Sequence, residues 1–166
     1  MSGQIGFVLD GVLRRIADSQ AIDPNGRMLF EGLKSFGRIT FLADGFSRDR
    51  KLIEHFLKFH RITDYVDIDI SVLSDGPDTV ARRLTQISRL RRSGPVSFVV
   101  EPDPKIAAAL LSEGIPAFLY LHPQFTVPSW RPDFGGRLRR WDDLVAETER
   151  QEDLRADEDL REKETL

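Results

Sequence analysis

The sequence predicts an α/β fold: one open, parallel, five-stranded sheet with helices on both faces. Three observations predict it. Short apolar runs alternate with longer amphipathic stretches from Gln4 to Leu121. Four of those runs are nearly continuous, as in strands buried on both faces. The stretches between them carry apolar residues at helical spacing behind capping residues. The resulting order, β-α-β-α-β-α-β-α-β, calls for right-handed crossovers.

The strands are read at Gln4–Leu9, Arg38–Ala43, Val96–Val100 and Pro116–Leu121, all continuous runs. Tyr65–Ile70 differs, because Val66, Ile68 and Ile70 alternate with Asp67 and Asp69. One wet face places that strand at a sheet edge. The first helix is read at Pro24–Phe36, opened by Asp23 as cap and Pro24 at the first helical position. Ser47–His60 puts Leu52, Ile53, Phe56, Leu57 and His60 on one face. Pro77–Arg92 does the same with Val80, Leu84, Ile87 and Leu90, and Lys105–Ser112 ends before Gly114.

After Leu121 the pattern breaks. His122–Gly136 holds three prolines, three aromatics and two adjacent glycines, the composition of an extended arm. Arg139–Glu149 resumes a helical pattern with Trp141, Leu144 and Val145 on one face, and apolar residues are sparse beyond Arg150. The organisation expected is an α/β domain over 1–121, a Pro/aromatic arm over 122–138 and an acidic helix or tail over 139–166.

At 166 residues, 40% hydrophobic and 31% charged, the composition is that of a globular domain. The absence of cysteine excludes disulfides, thiolate zinc sites and a cysteine nucleophile. Three histidines (His55, His60, His122) are too few for a histidine-rich metal site. No segment has the ~20 apolar residues of a membrane helix. Asp10 interrupts the first apolar run, so no signal peptide is expected and the location expected is cytoplasmic. The net charge of −3 is unevenly spread. From Asp142 onward there are 11 acidic and 4 basic residues, against 20 basic and 16 acidic in 1–141.

In an open α/β sheet, ligands bind beyond the carboxyl ends of the strands. The candidates there are Asp10, Asp44, Glu101, Asp103 and His122. Asp10, Glu101 and Asp103 have the chemistry of a Mg²⁺ carboxylate cluster. Asp10-Gly11 is equally a turn dipeptide, and Asp103-Pro104 equally a helix start. Arg82, Arg83, Arg89, Arg91 and Arg92 can be read as phosphate contacts or as a solvated helix face. Phe125, Trp130 and Arg131 of the arm, with Trp141, read either as cover for a sheet edge or as an interaction surface.

Phe7-Val8-Leu9-Asp10-Gly11-Val12-Leu13 resembles the first motif of the haloacid dehalogenase (HAD) superfamily, hhhDxDG(T/V)(L). Phe98-Val99-Val100-Glu101-Pro102-Asp103, followed by Gly114-Ile115-Pro116, resembles its fourth motif and the strand after it. The resemblance spans roughly residues 4–121. It implies a Rossmannoid sheet with the first strand central and the third at an edge. The short 14–37 interval has no room for a cap domain.

The departures from that pattern carry the functional expectation. The family's nucleophile, the first aspartate of DxD, is matched by Val8. Only the second aspartate, Asp10, is present, and the family uses it as general acid/base. The Ser/Thr ending the second strand is matched by Ala43, the lysine before the third helix by Gly76, and the fourth-motif acidic pair by Glu101-Pro102. Valine can neither attack phosphorus nor bind a metal.

The expected function is therefore a non-catalytic binding or assembly module on a degenerate HAD-like scaffold, with no catalytic residue, no metal ligand and no cofactor. Any Mg²⁺ binding should be weak. The alternatives are a diverged Mg²⁺-dependent phosphohydrolase using Asp10, Glu101 and Asp103, or a phosphate- or nucleic-acid-binding module using the arginines. A protein partner or a homo-oligomer is expected, with neither nucleic acid nor membrane. The arm and the following Trp141-Asp142-Asp143-Leu144-Val145 also resemble the C-terminal part of small phage-encoded HAD-like proteins.

Overall fold

Asp23, Asp49, Asp78 and Asp103 each stand one residue before a helix, and each cap it with a side-chain oxygen. They accept hydrogen bonds from Gly26 N, Lys51 N, Ala81 N and Lys105 N at 2.8–2.9 Å. Each such cap contributes about 1 kcal/mol. In the computed structural model, which describes residues 3–15, 20–44, 49–121, 149–150 and 153, these caps open α1 (Pro24–Leu33), α2 (Arg50–Phe59), α3 (Thr79–Arg92) and α4 (Pro104–Ser112). The strands are β1 (Gln4–Val8), β2 (Arg38–Ala43), β3 (Asp67–Ile70), β4 (Val96–Glu101) and β5 (Ala117–Leu119).

All five strands are parallel, in the order β3-β2-β1-β4-β5. β1 is central and wholly buried, with Phe7 in register between Phe41 of β2 and Val100 of β4. Its side chains alternate between two helical layers. Phe7 meets Phe30 of α1 edge-on at 6.1 Å, and Phe30 stacks on Phe41 at 5.5 Å. On the opposite face, a Cβ on Gly6 would lie 3.5 Å from Ile87 of α3. Helices thus cover both faces.

The edge strand β3 is shielded by charge. Asp67 is exposed and pairs with Arg50 at 2.6 Å, and Arg50 also donates to Ile68 O. Ile68 is buried, whereas Val66 lies outside the strand and is exposed, so the predicted alternation begins two residues late.

Three helices are shorter than their patterns suggest, α3 by two residues because Asp78 supplies its cap. α1 ends at Leu33 because Lys34 caps it through Phe30 O, leaving Phe36 exposed. α2 starts at Arg50 because Asp49 supplies the cap. Leu52, placed with the buried face by its spacing, is 66% exposed.

Arg61 follows α2 with φ +58°, a left-handed conformation that costs a non-glycine residue roughly 1 kcal/mol. Arg61→Gly is therefore expected to raise stability by roughly 0.5–1 kcal/mol. A urea midpoint that falls in this variant would contradict it.

Met1–Tyr120 forms one compact unit and Leu121–Leu166 a second. In the second unit Glu149, Arg150 and Asp153 are helical. Phe125, Trp130, Arg131, Trp141 and His122 lie outside the described residues. Among the described residues no helix is long and apolar enough to cross a membrane.

Candidate functional site

The carboxyl ends of β1, β2 and β4 bring three of the four candidate carboxylates to one edge of the sheet, and the loop after β4 adds the fourth. β1 leads into a turn at Gly11, whose φ of +86° suits glycine. The turn packs against α1 so closely that a Cβ on Gly26 would lie 1.8 Å from Val12 O.

Asp10 emerges from this turn beside Arg14. The guanidinium grips it in a fork, Nε to Oδ1 at 2.6 Å and Nη2 to Oδ2 at 3.0 Å. Arg14 is itself buried and lies 5.6 Å over the Phe56 ring. A bidentate, charge-assisted pair of this kind fixes the carboxylate's direction. Nearby, Tyr120 Oη donates to Asp23 Oδ1 at 2.9 Å, joining the chain just after β5 to the cap of α1.

The centre of the site is Arg83 of α3. Its side chain is 1% exposed and sits between two carboxylates. Nε donates to Glu101 Oε2 at 3.0 Å, Nη2 lies 3.0 Å from Asp44 Oδ1, and Nη1 donates to Gln86 Oε1 at 2.5 Å. Gln86 in turn donates to Ala43 O and Asp69 O, tying α3 to the ends of β2 and β3. Glu101 Oε1 accepts from Asp103 N at 3.1 Å, while the Asp103 carboxylate caps α4.

Burial dominates the electrostatics of this cluster. It pushes the Glu101 carboxyl up to about 7; Arg83 opposes the shift, and the charges of Asp44 and Asp103 add to it. Burial alone would lower Arg83, but Asp44 and Glu101 more than reverse it and keep the guanidinium charged.

A second arginine locks the adjacent loop. Arg89 forks onto Asp69 (2.8 and 2.6 Å) and onto Asp75 (2.8 and 3.0 Å). Pairing with Arg89 holds the Asp75 carboxyl below its ordinary range. Arg83 is thus a buried ion-pair residue and Arg89 a half-buried one, whereas Arg91 and Arg92 are exposed.

The residues do not fit the Mg²⁺ that the sequence resemblance implies. The cation between Asp44 and Glu101 is the Arg83 guanidinium, and Asp10 is held by Arg14. Among the described residues no three His, Cys, Asp or Glu are grouped to hold a metal ion. Val8, which the sequence resemblance matches to the HAD nucleophile, is 1% exposed within β1, between β2 and β4. His55 is exposed, and His60 Nε2 lies 2.9 Å from Gln20 O.

Sequence reasoning missed Gln86 and Tyr120 and did not foresee the burial of Arg83. The one available signal was Arg83 and Gln86 three residues apart, which puts them on one side of a helix with Ile87 and Leu90.

No protein-family model matches the sequence, and none of the curated proteins does. Several solved chains are similar, two of them as follows. A chain of "Structure of the Pnkp1/Rnl/Hen1 RNA repair complex" is 16% identical, with a TM-score of 0.60 over 75% of this chain and 44% of that one. A chain of "Structure of Pnkp1/Rnl/Hen1 complex" is 14% identical, with a TM-score of 0.59 over 75% of this chain and 48% of that one. This chain spans less than half the length of either. At such identity the likeness places the chain with them in an α/β parallel-sheet fold.

Proposed function

We propose that this chain is a HAD-like domain without phosphoryl-transfer chemistry, serving as a binding or assembly module. The observation that carries the reading is Arg83 seated between Asp44 and Glu101. The guanidinium engages both carboxylates, so neither is left as a free nucleophile. Val8 supports it, because an alkyl side chain inside the sheet offers phosphorus no nucleophile. That the two Pnkp1/Rnl/Hen1 structures are chains of a multi-protein complex agrees with an assembly role.

The purified protein is expected to hydrolyse p-nitrophenyl phosphate with Mg²⁺ no faster than the protein-free control. Turnover that disappears in Asp10→Asn would overturn the reading and favour the diverged phosphohydrolase. One observation favours a second reading, a nucleic-acid-associated module: the first of the similar structures is titled as an RNA repair complex. Salt-sensitive retention of a labelled RNA by the full chain would support that reading.

A further inference from the structure

α2 presents two unlike faces. Ile53, Phe56 and Leu57 are buried, whereas Lys51, Leu52, His55, Lys58 and Phe59 are exposed. Leu52 and Phe59 stand seven residues apart, so they lie along one line of the helix two turns apart. They are 66% and 74% exposed. The side chains of Lys51, Lys58 and Arg61 have no partner among the described residues, and the helix's own carboxylate, Glu54, is taken by Arg50.

Helix electrostatics explain only part of this. Cations near a helix C-terminus are favourable, which covers Lys58 and Arg61. Lys51 sits in the first turn, where a cation is unfavourable, and Arg61 occupies a left-handed position better suited to glycine. Neither consideration accounts for two bare apolar side chains between the cations.

The sequence contains a stretch of the opposite character. From Asp142 to Leu166 it carries 11 acidic and 4 basic residues, with leucines at 144, 154, 160 and 166. We propose that the exposed face of α2 binds a second copy of this chain through that copy's acidic C-terminal stretch. Leucines would cover Leu52 and Phe59, and carboxylates would pair with Lys51, Lys58 and Arg61. Reciprocal exchange of one stretch and one face closes as a two-fold dimer. The inference rests on the proposed assembly role and names its partner.

The test is the mass of the full chain by sedimentation equilibrium, over a concentration series at 50 and 500 mM NaCl. The expected result is association from 18.9 kDa to twice that mass. High salt should weaken it on the order of tenfold or more, because exposed charges are screened. Lys51→Glu/Lys58→Glu should weaken it comparably with no change in melting temperature, and Phe59→Ser should weaken it at both salt concentrations.

A chain that stays at 18.9 kDa throughout, or a dimer indifferent to all these changes, would overturn the inference. So would a single-stranded RNA oligonucleotide retained through the same two lysines, which would assign the face to nucleic acid. A monomer lacking phosphatase activity removes the dimer and leaves the proposed function standing. Phosphatase activity in a dimer does the reverse.

Discussion

Arg83→Met is expected to lower the unfolding free energy by about 3–5 kcal/mol at pH 8, the usual cost of leaving a buried charge without its partner. Methionine keeps much of the aliphatic volume, so the loss reports mainly on the guanidinium. Its removal strands Glu101, which is 1% exposed, and leaves Gln86 Oε1 without its donor. The measurement is urea unfolding, with a lower midpoint at an unchanged slope. Adding Glu101→Gln to Arg83→Met should recover part of the loss, since removing both charges of a buried pair is often near neutral. A single-variant loss below about 1 kcal/mol would show that Arg83 is not the counter-ion of this cluster.

The second large effect is a stability that falls as the pH rises toward neutrality. Glu101 titrates near 7 in the folded protein against an ordinary 4.5. The folded state therefore binds this proton more tightly than the unfolded state does. The contribution is complete below about pH 4.5 and is lost as the pH rises through about 7. Its ceiling is about 3 kcal/mol, from the size of the shift. Asp67 and Asp75 act oppositely but lower, because their carboxyls are depressed below 3.8 and their contribution is lost only under more acidic conditions. Urea midpoints should therefore be highest near pH 5 and decline toward pH 8. Glu101→Gln should flatten the curve between pH 5 and 8 while leaving the acid limb in place. An unchanged slope in that variant would assign the dependence to other groups. The two predictions are linked, since the cost of Arg83→Met should shrink at pH 5, where Glu101 holds its proton.

The two effects trace to one buried ion pair. At the edge of the sheet the charge between Asp44 and Glu101 is a side chain of α3. This pairing ties the ends of β2 and β4 to α3.

The inner strands, the edge strand β3 and two of the four helix starts were legible in the sequence because each is set by local chemistry. Gln4–Val8 and Arg38–Ala43 are apolar on both faces and so can only be inner strands, and Asp67 and Asp69 announce an edge. Asp23-Pro24 and Asp103-Pro104 fix two helix starts through capping within three residues. That Asp10, Asp44, Glu101 and Asp103 share one edge of the sheet followed from topology, since all lie at or just beyond carboxyl ends of parallel strands. What only the tertiary structure decided is how those charges are matched. Arg83 reads locally as one arginine among five on an amphipathic helix, and its partners lie 18 and 39 residues away. Leu52 shares helical spacing with the buried side chains of α2, yet the sheet covers a stripe only wide enough for Ile53, Phe56 and Leu57. Periodicity determines that a helix has an apolar side; packing against the sheet determines which apolar residues that side can cover, and which charge is carried inside with them.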